Sequence, residues 1–167
     1  MDMNTLQDLY VDELRDLLSA ESQLLKALPK MAKKASAPEL QQAFETHLGE
    51  TGTHVERLNQ IFKNLGMKPR AKKCKGMQGL LEEGEEMMKE AASEDVRDAA
   101  MISAAQKVEH YEIASYGTVR TYAEMLGEKK GAKLLQQTLD EEGETDKKLT
   151  TLATNFINAE AMTAEPN

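Results

Sequence analysis

Apolar residues return along this chain at alternating steps of three and four, in four long stretches. The first runs from about residue 4 to 35 and sets Tyr10, Leu14, Leu17, Leu24, Leu28 and Met31 on one face, the spacing of an amphipathic helix. Pro29 lies inside it and removes one backbone hydrogen bond, so a kink rather than a stop is expected. SAPEL then reads as a turn, with Pro38 opening the next helix. That second helix, 38 to about 65, carries Phe44, Leu48, Thr51, Val55, Leu58 and Phe62 on one line and His47, Glu50, His54 and Ile61 on an overlapping one, before Gly66 and Pro69 end it. The third starts behind Ser93, a good N-cap followed by Glu94 and Asp95. Its stripe is Ile102, Ala105, Glu109, Glu112, Tyr116, Val119, Ala123 and Leu126, closed by Gly127. The fourth, about 129–157, shows Leu135, Leu139, Glu142, Asp146, Leu149, Ala153 and Phe156. Residues 158–167 read as a disordered tail.

Short turns join the first helix to the second and the third to the fourth, so each pair is antiparallel. Between the pairs, residues 66–92 form a long connection with a short amphipathic piece at Leu80, Leu81, Met87 and Met88. Such a connection spans the length of a bundle. The expected fold is all-α: over residues 1–157, a ferritin-like four-helix bundle with one long crossover containing a short fifth helix.

Carboxylates interrupt the apolar stripes. Glu21, Glu109, Glu112, Glu142 and Asp146 stand where buried apolar residues belong, and Glu50 and His54 share the inner stripe of the second helix. A buried carboxylate must protonate, pair with a base or bind metal. The heights agree as well. From a first turn centred near 36.5, Glu21 lies 15.5 positions before and the midpoint of Glu50 and His54 lies 15.5 after. Around the second turn, Glu109 and Glu112 balance Glu142 and Asp146 in the same way. At ~1.5 Å per residue the acids of each hairpin fall in one layer. An oxygen-rich set with one or two imidazoles suits iron or manganese better than structural zinc, so two iron or manganese ions are the expected cofactors.

Three histidines differ in standing. His54 is either a ligand or a partner beside the site; His47, one turn from Glu50, is expected beside the site rather than on a metal; His110 lies off the stripe. Tyr116, one turn beyond Glu112, is either a packed ring or a relay. Gly49, Gly52 and Gly143 lie beside the acid layer, marking close helix approach, local loosening or surface drift.

Composition narrows the function. Twenty-one basic against twenty-nine acidic residues give a net charge of −8, which disfavours nucleic acid and anionic membranes. The start MDMNTLQDLY lacks the layout of a signal peptide, and no run reaches the ~20 apolar residues of a membrane span. A cytoplasmic protein is expected. The single cysteine, Cys74, excludes an intrachain disulfide framework. It lies in a basic run from Lys68 to Lys75, where lysines would lower a thiol pKa, although an isolated free thiol is the simpler reading.

The blocks AESQLLKALPKMAKKA, HLGETGTHVERL, AAQKVEHYEIASYGT and LLQQTLDEEGETDKKLTTLA resemble the YciF/YciE-like bacterial stress proteins, a branch of the ferritin-like superfamily. More distantly the layout is similar to rubrerythrins and other di-iron carboxylate proteins. The resemblance implies that Glu21 corresponds to the first-helix carboxylate, Glu50 to that of the second helix, Glu109 and Glu112 to the third-helix pair, and Glu142 to the fourth-helix carboxylate. It departs where the wider superfamily places His three residues after the Glu: here the third position is Thr53, the His is His54, and the matching place on the last helix is Asp146. The resemblance implies a stress-associated protein but supplies no reaction. Three functions stay open: oxidase or peroxidase chemistry toward dioxygen or peroxide, iron binding without turnover, and a structural role through a homodimer.

Overall fold

The computed structural model describes residues 3–164. Five long or medium helices form it: α1 (Leu6–Lys34), α2 (Pro38–Asn64), α3 (Lys75–Glu90), α4 (Glu94–Met125) and α5 (Lys129–Leu152). A π-helical turn (Ala153–Ile157) and a short α6 (Asn158–Thr163) follow. No strand occurs among the described residues, and the all-α expectation holds. Among those residues no helix is long and apolar enough to cross a membrane.

Several helix ends have a local cause. Thr5 caps α1 in a reciprocal box with Asp8. The Ser93 side chain accepts from the Val96 amide at 3.2 Å. Gly66 and Gly127 take φ of 68° and 76° to end α2 and α4, a left-handed geometry that a Cβ would penalise. Between α1 and α2, the buried Asp98 carboxylate accepts from the Ser36 and Ala37 amides, the latter at 2.7 Å. This ties the first turn to α4. Helix α1 runs through Pro29 without a break.

The C-terminal end differs from expectation. Residues 158–163 are helical rather than disordered, while 165–167 lie outside the described residues. The reason is the π-helical turn: its wider i→i+5 bonding, Asn158 N–H to Ala153 O, turns Ile157 rather than Phe156 fully into the core and continues the helix onto α4.

Two apolar clusters fill the interior. One gathers Leu24, Leu28, Phe44, Met77, Met101 and Leu149. The other gathers Tyr10, Leu14, Phe62, Tyr116, Val119 and Leu135. The carboxylates lie between them in sequence on every long helix, so a polar layer divides the core.

Candidate metal centre

Glu21 of α1, His47 and His54 of α2, Glu109 and Glu112 of α4 and Glu142 of α5 are all buried, with Glu21, His54, Glu112 and Glu142 at 0% exposure. Their ligand atoms converge in two groups, within 4.8 Å in each. One is His47, Glu109, Glu112 and Glu142; the other is Glu21, His54 and Glu142. Glu142 belongs to both.

The two imidazoles are oriented from outside the layer. His47 turns Nδ1 to Glu50 Oε2 at 3.2 Å, which leaves Nε2 facing Glu109 at 3.3 Å and Glu142 at 3.7 Å. His54 turns Nε2 to Glu141 Oε2 at 2.9 Å. Its Nδ1 then sits between Glu21 at 3.3 Å and Glu142 at 3.1 Å. Glu141 is itself gripped by Arg57, with Nη2 to Oε1 at 2.8 Å. A carboxylate on the outer ring nitrogen fixes the tautomer and aims the inner lone pair, the usual support of a metal-bound histidine. Tyr116 donates to Glu21 Oε1 from the apolar side.

The inner atoms are poorly satisfied by one another. Glu21 Oε2, His47 Nε2, His54 Nδ1, Glu109 Oε2 and both oxygens of Glu112 and Glu142 are buried without a hydrogen-bond partner. The imidazole nitrogens approach carboxylates closely but lie between oxygens rather than aligned on one. Orphaned buried polar atoms are costly and uncommon. Eight of them facing one another fit a set of ligands meant for cations.

Protonation carries the same signature. Burial lifts Glu109 and Glu112 well above the ordinary carboxylate range, and the charges of Glu142 and Glu21 add to it. Glu21 is also raised by burial, although His54 and Tyr116 oppose the shift. Burial alone would lower His54, but the carboxylates of Glu142 and Glu21 outweigh it and push the imidazole up to about 10. Glu50 is held down by its contact with His47, and Glu141 by Arg57.

The structure therefore brings five of the seven sequence-derived positions, Glu21, His54, Glu109, Glu112 and Glu142, into the convergent groups. Glu50 lies at their edge, its side chain 36% exposed, bonded to His47. Asp146 lies outside both groups: its Oδ1 faces His110 Nε2 at 3.2 Å and Gln106 Nε2 at 3.2 Å. Each sits four residues along from its partner, about 40° further round the helix, and that rotation turns Asp146 toward the α4–α5 surface seam. His47 is the reverse case, expected beside the site and found within it. The sequence signal was present, since His47 and His54 share the inner line of α2. Arg57 and Glu141 lie off the stripes, and no periodicity singles them out.

Two further readings narrow. Gly49, Gly52 and Gly143 have open space where a Cβ would stand, so close helix approach does not explain them. Cys74 is buried at the start of α3, its Sγ 3.0 Å from Tyr111 Oη. Burial raises its thiol pKa, while the flanking lysines lie exposed. Cys74 is thus an isolated free thiol, the simpler of the two readings, and the exposed lysines beside it in sequence do not lower its pKa.

Residues 5–162 match the family described as Domain of unknown function (DUF892). Protein YciF of Escherichia coli (strain K12) is 50% identical over 162 residues, covering 96% of this chain and 98% of that protein. The crystal structure of the E. coli stress protein YciF superposes with a TM-score of 0.89 over 93% of this chain and 99% of that one. YcfI from Rhodopseudomonas palustris gives 0.88 at 45% identity, over 90% and 96% of the two chains. A structure of ferritin-like, diiron-carboxylate proteins from Bacillus anthracis str. Ames gives 0.69 at 18% identity, over 90% and 99%, a likeness of fold alone. By sequence and by structure, the chain belongs to the DUF892 family and has the ferritin-like fold.

Proposed function

We propose that this chain is a cytoplasmic protein that holds two iron or manganese ions between its apolar clusters and that the ferrous form reduces hydrogen peroxide or dioxygen. The observation that carries the reading is the sharing of Glu142 between two convergent ligand groups, one with His47 and one with His54. A carboxylate common to two sets is what a dinuclear centre requires, and the remaining oxygens and imidazole nitrogens suit first-row divalent metals.

Bound iron would supply electrons and Lewis acidity. The residues do the rest. Glu109, Glu112 and Glu142 provide the carboxylates of the His47 group, and Glu21 and Glu142 those of the His54 group. Glu50 and Glu141 keep the outer ring nitrogens of His47 and His54 occupied. Arg57 fixes Glu141 in turn. The Tyr116 hydroxyl holds one Glu21 oxygen and leaves the other toward the group. Glu21, His54, Glu112 and Glu142 have no solvent exposure, so charge among them is weakly screened.

The test is anaerobic loading with ferrous iron followed by titration with hydrogen peroxide. The expected outcome is two iron atoms bound per chain and one peroxide consumed per two ferrous ions oxidised, with two protons taken up to give two waters. Two bound irons that peroxide leaves ferrous would mean metal holding without turnover. Protein that binds no iron would refute the site.

A further inference from the structure

Beside the carboxylate layer lies a cavity of about 250 Å³ that all five principal helices line. Its walls are apolar: Leu24, Leu28 and Met31 from α1, Phe44 from α2, and Leu80 and Leu81 from α3. The crossover helix α3 therefore covers a space instead of closing fully on the bundle. Polar walls are few. His47, Glu109 and Thr145 supply them on the side of the candidate centre.

The opening has a different character. Lys26, Lys30 and Lys34, spaced by one turn on α1, and Lys148 of α5 line the same cavity and are exposed. The one exposed acid among the lining residues, Glu85, is paired with Lys89 at 4.0 Å. A chain of net charge −8 thus gathers four cations around an apolar hole. An apolar interior with convergent charge at its mouth is the pattern of a small-molecule site, and here the charge selects an anion.

We propose that this cavity binds a medium-chain fatty acid, its alkyl chain against Leu24, Leu28, Met31, Phe44, Leu80 and Leu81 and its carboxylate among Lys26, Lys30, Lys34 and Lys148. The size sets the chain length: at about the ~30 Å³ that one water takes in the liquid, the cavity holds about eight units of methylene size. The chain enters tail first, because the four lysines sit at the surface while the inner wall is mostly apolar, with Gln23, His47, Glu109 and Thr145 as its polar members. This inference goes beyond the metal reading and does not depend on it.

Octanoate added to the full-length protein in chelator tests it, so that failure of the metal site cannot mask or mimic the result. With methionine methyl groups labelled for NMR, saturable shifts are expected at Met31 and Met88, which line the cavity, and none at the exposed Met125 and Met162. Ala27→Phe, which projects a ring into the space, should weaken octanoate by about tenfold or more. The surface variant Lys30→Glu/Lys34→Glu keeps the fold and should weaken octanoate several-fold while leaving octanol unchanged. Shifts that never saturate, shifts centred on exposed methionines, or octanol binding as tightly as octanoate to the unaltered protein would overturn the proposal. Octanoate affinity unchanged in both variants would do the same.

Discussion

Replacing Glu112 with glutamine in the metal-free protein should shift stability in the variant's favour by an amount that grows with pH. Glu112 is fully buried, and neither oxygen has a hydrogen-bond partner. Burial, followed by the charges of Glu21 and Glu142, raises its pKa well above that of an exposed glutamate. A carboxyl whose folded pKa is raised costs nothing at a pH below its unfolded value. Its penalty grows as pH rises from the unfolded value toward the folded one, because only the unfolded chain releases the proton. Each pH unit in that window is worth about 1.4 kcal/mol. Glutamine cannot titrate, so it escapes the penalty. Its amide has unmet hydrogen bonds of its own, about 1–3 kcal/mol, but that cost is the same at every pH and cancels from a difference. Urea unfolding of both proteins in EDTA, followed by circular dichroism, gives the stability gap at pH 5 and at pH 7. The variant-minus-parent gap should widen from pH 5 to pH 7, by at most about 1.4 kcal/mol per pH unit. A gap equal at both pH values would mean that Glu112 ionises in the fold as it does in water, and the buried carboxylate layer would be misread.

Glu50→Gln/Glu142→Gln should abolish uptake of two metals per chain, read by elemental analysis, while the far-ultraviolet spectrum stays helical; two bound equivalents in the double variant would refute the assignment. Metal loading at neutral pH should release protons, measured in a pH-stat, because Glu109 and Glu112 are raised and His54 is held up to about 10; apparent affinity should then rise with pH, and uptake without proton release would contradict those directions. Cys74 should react with a thiol reagent only on unfolding, since it is buried with a raised pKa; labelling of the native protein at the rate of a free thiol would contradict this. For the expected homodimer, sedimentation at micromolar concentration should show a species of twice 18.6 kDa, and a monomer alone would count against it.

Much of this arrangement was legible in the chain. Helix starts at Pro38 and Ser93 and stops at Gly66 and Gly127 depend on local backbone chemistry, and the structure keeps them. Glu21, Glu109, Glu112 and Glu142 stood out because a carboxylate replaced an apolar residue on an otherwise regular stripe. What a stripe cannot give is the side-chain direction to better than about 40°. Asp146 and Glu50 fall within that uncertainty, one at the α4–α5 seam and the other at the rim. His47 falls within it from the other side. Arg57 and Glu141 act across α2 and α5, a relation between distant residues that no single helix encodes. The C-terminal helix was missed because its packing depends on a π-helical turn, which breaks the period that sequence reading relies on. Cys74 shows a related limit. Its neighbours in sequence are lysines, but its neighbours in space include Tyr111.

The central claim is that six side chains from four helices form one dinuclear metal centre. Anomalous diffraction from crystals of protein loaded anaerobically with ferrous iron tests it most directly. Two iron peaks about 3.5–4 Å apart, one contacting His47 and the other His54 with Glu142 between them, are predicted. Iron found only at surface carboxylates, or no anomalous peak within the layer, would contradict it.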